Sequence, residues 1–221
     1  MPDAGALPLA IAAEHAGLSG HSHGHGHGHE ARIGPNAIIR LLEVLQLGPG
    51  PAVAERLFRA AGLERYLRQP PAAMVPEEEV TLLHHVLAEE LGPVVAGRIA
   101  REAGRRTGDY LLAHRIPKPA QAVLKLLPEG LASRLLLKAV GKHSWTFAGS
   151  GSFTVHSASP AVVSISGCPL CKGMEATEAI CDFYTGTFER LYQVLVHPGT
   201  VVVETECAAM GADRCTFEMR W

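Results

Sequence analysis

The closing stretch of this chain places Glu204, Cys207 and Cys215 at the spacing Glu-x2-Cys-x7-Cys, with Gly211 in the loop between the two thiols. A further thiol, Cys181, stands upstream on a segment that reads as an amphipathic helix. Three thiols and a carboxylate drawn together by a helix and a hairpin can close a tetrahedral zinc site. Such a site would fasten the C-terminal sheet to a helix, and its role would be structural, because catalysis requires an open coordination position. In a straight strand Glu204 and Cys207 face opposite sides, so the site requires a bulge or a turn ahead of Cys207. Two other readings use the same residues. Free cysteines are commonly small buried hydrophobes. Cys168-x-x-Cys171 can also join Cys207 and Cys215 in an all-thiolate site that leaves Cys181 in the core, or serve as a redox dithiol.

The 221 residues suffice for one well-buried domain with additional segments. A formal charge of −2 gives no basic excess to draw the chain to nucleic acid and no acidic tail. Five cysteines without a recognisable signal peptide point to a reducing compartment. No uncharged run reaches the length of a membrane span. The expectation is a cytoplasmic protein, able to rest peripherally on a membrane.

Residues 1–34 read as a flexible arm. Small residues, chiefly Gly, alternate with His21, His23, His25, His27 and His29, which denies that stretch both a helix and an apolar face. Its imidazoles will take up zinc, nickel or copper in vitro. Residues 35–141 read as helices, punctuated by Pro51, Gly62 and the Pro76–Glu79 start signal. On the segment 94–114, Gly97, Gly104 and Gly108 share one face, which permits close approach by another helix or by a flat ligand.

From residue 142 the texture changes. Residues 144–148, 152–156 and 162–165 read as short strands, 174–196 as a helix, and 200–206 with 215–220 as a hairpin. Cys181, Tyr184, Phe188, Leu191, Tyr192 and Leu195 form the apolar stripe of that helix. A helical region followed by an antiparallel sheet packed on helices defines an α+β fold, with 35–221 as a single domain.

Gly149 and Gly151 lie between two predicted strands, so they mark a turn rather than a dinucleotide fingerprint, which requires a following helix. No Walker-type loop, NAD or flavin motif is present. His84, His114, His143 and His156 can each ligate the magnesium of a chlorin, although a histidine on an apolar face is more commonly a hydrogen-bonded core residue. Trp145 and Tyr110 offer rings that can pack on a macrocycle or on other aromatics.

Three stretches together, 103–114, 145–153 and 204–215, resemble the bacteriochlorophyll 4-vinyl reductases of phototrophic bacteria. The resemblance covers about residues 35–221, and its last third is similar to the wider vinyl-4-reductase domain family. The resemblance implies an α+β fold with an apolar ligand pocket, similar in architecture to haem-based gas sensors and vesicle-tethering subunits. It implies a structural zinc on Cys181, Glu204, Cys207 and Cys215, with Cys168 and Cys171 outside the ligand set. It also implies a chlorophyllide-type tetrapyrrole as partner, reduction of its 8-vinyl group (4-vinyl in older numbering), contact with other enzymes of bacteriochlorophyll synthesis, and a homodimer. Vinyl reduction consumes two electrons and two protons, which cofactors ordinarily deliver. A carrier or accessory role therefore stands beside a true reductase, and a stand-alone small-molecule sensor is the third expectation.

Overall fold

The computed structural model describes residues 31–221. The His-rich stretch therefore lies outside the described residues. Of the last residues assigned to the arm, Arg32–Ile33 form β1, which pairs antiparallel with β2, Val75–Pro76.

The first half is helical: α1 (Asn36–Leu47), α2 (Pro51–Ala60), the four-residue α3 (Arg65–Arg68), α4 (Glu77–Leu91), α5 (Pro93–His114), α6 (Lys118–Leu126) and α7 (Glu129–Lys142). Local chemistry sets the helix ends. Pro51 and Pro93 occupy first-turn positions, where the missing amide costs nothing. Glu77, Glu78 and Glu79 complement the positive end of α4. Gly92 takes φ +76°, so α4 can stop and α5 start one residue later.

The second half holds β3 (Ser152–Ala158), β4 (Ala161–Ser166), α8 (Asp182–Leu195), β5 (Val201–Glu206) and β6 (Cys215–Arg220). The strands make one antiparallel sheet in the order β3-β4-β6-β5. The fold is α+β, as expected. Two elements differ from the expectation. Residues 144–148 form a turn with a 3-10 helix at Ser144–Thr146, because Phe147 is drawn into a ring cluster with Phe153, Tyr184 and Phe188. Tertiary packing there overrides the strand propensity of the segment. The last helix begins at Asp182 rather than near Met174, and Cys181 is its N-cap residue. The amides ahead of it bond elsewhere: Ala176 N–H donates to the Ala209 carbonyl at 2.9 Å.

α8 is buried on nearly every side, as a helix held between two layers must be. Tyr184 and Phe188 meet Phe217 of the sheet, with ring centroids 6.1 and 5.5 Å away. The opposite face of α8 lies on the small-residue stripe of α5. A Cβ on Gly104 would sit 2.1 Å from the Phe183 carbonyl oxygen, and one on Gly186 would sit 2.1 Å from that of Arg101. The glycine stripe serves helix packing. Arg101 bonds Glu189 at 2.6 Å, and Glu189 also accepts from the Val202 amide at 3.2 Å, which ties α5, α8 and β5 together.

Gly104→Ala should destabilise the fold by about 3 kcal/mol, since the obstruction is backbone that cannot rotate aside. Gly141→Ala, with nothing within 4 Å of the added carbon, should be neutral or slightly stabilising. Urea unfolding of both variants checks this, and equal stabilities would contradict the packing account.

Candidate metal centre and ligand groove

All five cysteines are buried and free. Their sulfurs converge beneath the N-terminus of α8. Cys181 Sγ lies 3.5 Å from Cys168 and 3.6 Å from Cys215, and Cys215 lies 3.4 Å from Cys171 and 4.0 Å from Cys207. Two sets of four ligand atoms each fall within 4.8 Å: Cys168, Cys171, Cys181 and Cys215, and Cys181, Glu204, Cys207 and Cys215. These residues form a buried cluster able to hold a metal ion.

The backbone explains how Glu204 and Cys207 share a side. The β5–β6 register shifts between Glu204 and Glu206, which is the bulge the spacing requires. After Cys207 a 3-10 turn, Ala208–Met210, closes at Gly211 with φ +90°, a conformation that favours glycine. One carboxylate oxygen of Glu204 accepts the Cys181 amide at 2.8 Å. The other, Oε1, is buried without a hydrogen-bond partner. An orphaned, inward carboxylate oxygen beside three thiols fits a metal ligand, because its desolvation is otherwise uncompensated.

The Cys168–Cys171 loop is clamped by α4. Thr81 Oγ1 donates to the Pro169 carbonyl at 2.6 Å, and His85 Nε2 bonds the Lys172 carbonyl at 2.9 Å. Lys172 Nζ pairs with the buried Glu77 at 2.8 Å, and Glu77 also accepts from the Ser150 amide and hydroxyl at 2.5 and 2.6 Å. Burial alone would raise the Glu77 pKa, but these bonds bring it below the usual carboxylate value.

Protons are unevenly shared in the cluster. Burial, with Cys207 adjacent, pushes Glu204 up to about 9. The bond with Cys168 leads in pushing Cys171 up to about 12, and it leads too in raising Cys181. Bonds from Cys171 and then Cys181 bring Cys207 down to about 6, and Cys168 leads in lowering Cys215 to about 6. The cluster thus keeps protons that a divalent cation would displace, so metal uptake releases protons and strengthens as pH rises.

Of the four histidines singled out from the sequence, His84 alone is buried. Its Nε2 has no hydrogen-bond partner, and it packs edge-on against Phe183 at 6.0 Å. Burial, helped by His85, brings its pKa down to about 4. It lines a cavity of about 310 Å³ together with Leu87, Ala100, Leu170 and Ile180. His143 Nδ1 bonds the Ala139 carbonyl, and Tyr110 packs against His114 and the Arg40 guanidinium. Trp145 is 62% exposed. His156 stands at a larger groove of about 820 Å³ between α7 and β3, where Leu131, Leu137 and Val155 supply apolar wall and Arg134 and Lys138 supply charge. Sequence reading had not separated this groove from the rest, because Arg134 and Lys138 look like ordinary solvated helix positions.

Residues 161–220, which contain most of this cluster, match the vinyl-4-reductase domain. The class is therefore that of vinyl-4-reductase-domain proteins, an α+β scaffold with a cysteine-rich centre here at its sheet–helix junction. The chain belongs to the family of the bacteriochlorophyll synthase 23 kDa chain. It is 45% identical over 188 residues to that protein from Cereibacter sphaeroides, covering 85% of this chain and 90% of the relative. The protein of the same name from Rhodobacter capsulatus is 39% identical over 188 residues, covering 85% and 86%. In fold the chain is similar to an H-NOX protein from K. algicida, with a TM-score of 0.55 at 10% identity over 85% of this chain and 96% of that one. No helix among the described residues is long and apolar enough to cross a membrane.

His84 has an acid-sensitivity consequence. Above its unfolded value of 6.5 it is neutral in both states, so it contributes no difference. As pH falls from 6.5 towards 4, the unfolded chain takes up a proton that the native site refuses, which removes about 3 kcal/mol of stability. His84→Leu should lose correspondingly less stability between pH 7 and pH 4.5 in urea titrations. Identical losses would contradict the neutral, buried imidazole.

Proposed function

We propose that this protein serves bacteriochlorophyll synthesis as a carrier or accessory that binds a chlorophyllide-type tetrapyrrole in the groove between α7 and β3. The observation that carries the reading is the chemistry of that groove. A chlorophyllide offers a broad apolar macrocycle, a free carboxylate and a magnesium with an open axial position. The groove answers with apolar walls, the paired cations Arg134 and Lys138 one helical turn apart, and the imidazole of His156. Its volume falls within the range of ligand sites that bury most of a ligand. The family context supports the pathway, since the relatives are named for bacteriochlorophyll synthesis. In this reading the protein presents the pigment at the photosynthetic membrane, and a partner enzyme delivers the two electrons and two protons that convert the 8-vinyl group to ethyl.

The cluster of Cys181, Glu204, Cys207 and Cys215 then holds zinc in a closed, structural site. Bound there, the ion supplies a cross-link between β5, β6 and the start of α8 rather than a reacting centre. Cys207→Ala should lose that ion and about 4 kcal/mol of stability or more, read by urea unfolding alongside metal analysis. Unchanged stability would contradict the structural role.

Divinyl chlorophyllide titrated into the full chain should shift its absorption bands, and NADPH should add no monovinyl product by chromatography. Arg134→Glu combined with Lys138→Glu should weaken binding at least about tenfold, equivalent to about 1.4 kcal/mol. Monovinyl product from the purified protein would replace the carrier reading with that of a reductase. Unaltered binding by the double variant would exclude this groove.

A further inference from the structure

We propose that Cys168 and Cys171 extend the metal site into a two-ion centre in which Cys181 and Cys215 bridge the ions. The inference deepens the metal reading above and rests on it. Six ligand atoms divide into two sets of four, and the sets share two members, Cys181 and Cys215. Two tetrahedra with a common edge are the arrangement that two cations joined by two bridging thiolates require. The first ion takes Cys181, Glu204, Cys207 and Cys215. The second takes Cys168, Cys171, Cys181 and Cys215.

The distances agree with this division. A tetrahedral ion with metal–sulfur bonds of about 2.3 Å has sulfurs about 3.8 Å apart. The shared edge, Cys181 to Cys215, measures 3.6 Å. Cys168 to Cys181 and Cys171 to Cys215 measure 3.5 and 3.4 Å, and Cys207 to Cys215 measures 4.0 Å. Each thiol of the Cys168–Cys171 loop therefore approaches one of the bridging sulfurs at ligand-edge separation.

The loop is also built to stay there. Thr81, His85 and Glu77 of α4 hold Pro169 and Lys172 on either side of Cys171. Cys168 and Cys171 are each only 2% exposed, which leaves no accessible sulfur for thiol–disulfide exchange with another protein. Charge favours completion of the second set. A second divalent ion brings two positive charges against the two thiolate charges of Cys168 and Cys171. The centre therefore carries the same net charge with two ions as the four-ligand site carries with one.

The full chain, reduced and loaded anaerobically with cadmium-113, provides the test. Two cadmium resonances should appear in the sulfur-rich region, one for an all-sulfur ion and one for a sulfur-and-oxygen ion. They should split each other by coupling through the bridging sulfurs. Cadmium on the histidine-rich stretch falls in the nitrogen and oxygen region and stays uncoupled. Cys168→Ser combined with Cys171→Ser should abolish one sulfur-rich resonance and the splitting while the other persists. A single, unsplit sulfur-rich resonance from the unaltered chain would overturn the two-ion centre and leave the one-ion site standing. No sulfur-rich resonance at all would overturn both.

Discussion

The meeting of five thiols and one carboxylate beneath the start of α8 is the constraint to which the C-terminal half answers. Cys181 sits at the junction: its amide binds Glu204, its carbonyl caps the first turn of α8, and its sulfur touches Cys168 and Cys215. Strand β6 delivers Cys215, the bulged end of β5 delivers Glu204, and the turn after it delivers Cys207. α4 holds the Cys168–Cys171 loop over the same point through Thr81, His85 and the Glu77–Lys172 pair. A cross-link there joins segments far apart in sequence, which a sheet of four strands and one covering helix would otherwise have to hold by packing alone.

From that junction α8 runs between the sheet and α5, and its two faces use different means. Towards the sheet it presents rings, with Tyr184 and Phe188 against Phe217. Towards α5 it presents Gly186 and Thr187, and the backbones come close enough for Thr187 Oγ1 to reach the Gly104 carbonyl at 3.1 Å. The proposed pigment groove lies along β3, the sheet edge opposite β5. The two sites thus divide the labour, with the cysteine centre fixing the sheet on its helix and the far edge left for a ligand.

Much of this was legible in the sequence, because spacing and periodicity report local geometry. The Glu204, Cys207 and Cys215 spacing demanded a bulge, and the register shift at Thr205 provides it. The glycines of α5 implied close approach, and a helix makes it. Other features depend on contacts that no local pattern encodes. Residues 174–180 carry helix-forming side chains, yet the Ala176 amide is taken by the turn between β5 and β6. Cys168 and Cys171 look like a lone pair in sequence, and the sequence-derived rival site joined them to Cys207 and Cys215. The structure instead sets them against Cys181 and Cys215, a placement that follows from α4 gripping the loop from 88 positions away in the chain.

Hydrogen exchange on the full chain, before and after chelation has stripped metal from the thiols, tests the central claim most directly. A cross-linking metal centre predicts that protection falls together in residues 168–181, the first turn of α8 and the β5–β6 hairpin, while α1 and α2 keep theirs. Unchanged protection across those segments would show that the thiols meet without holding the fold together.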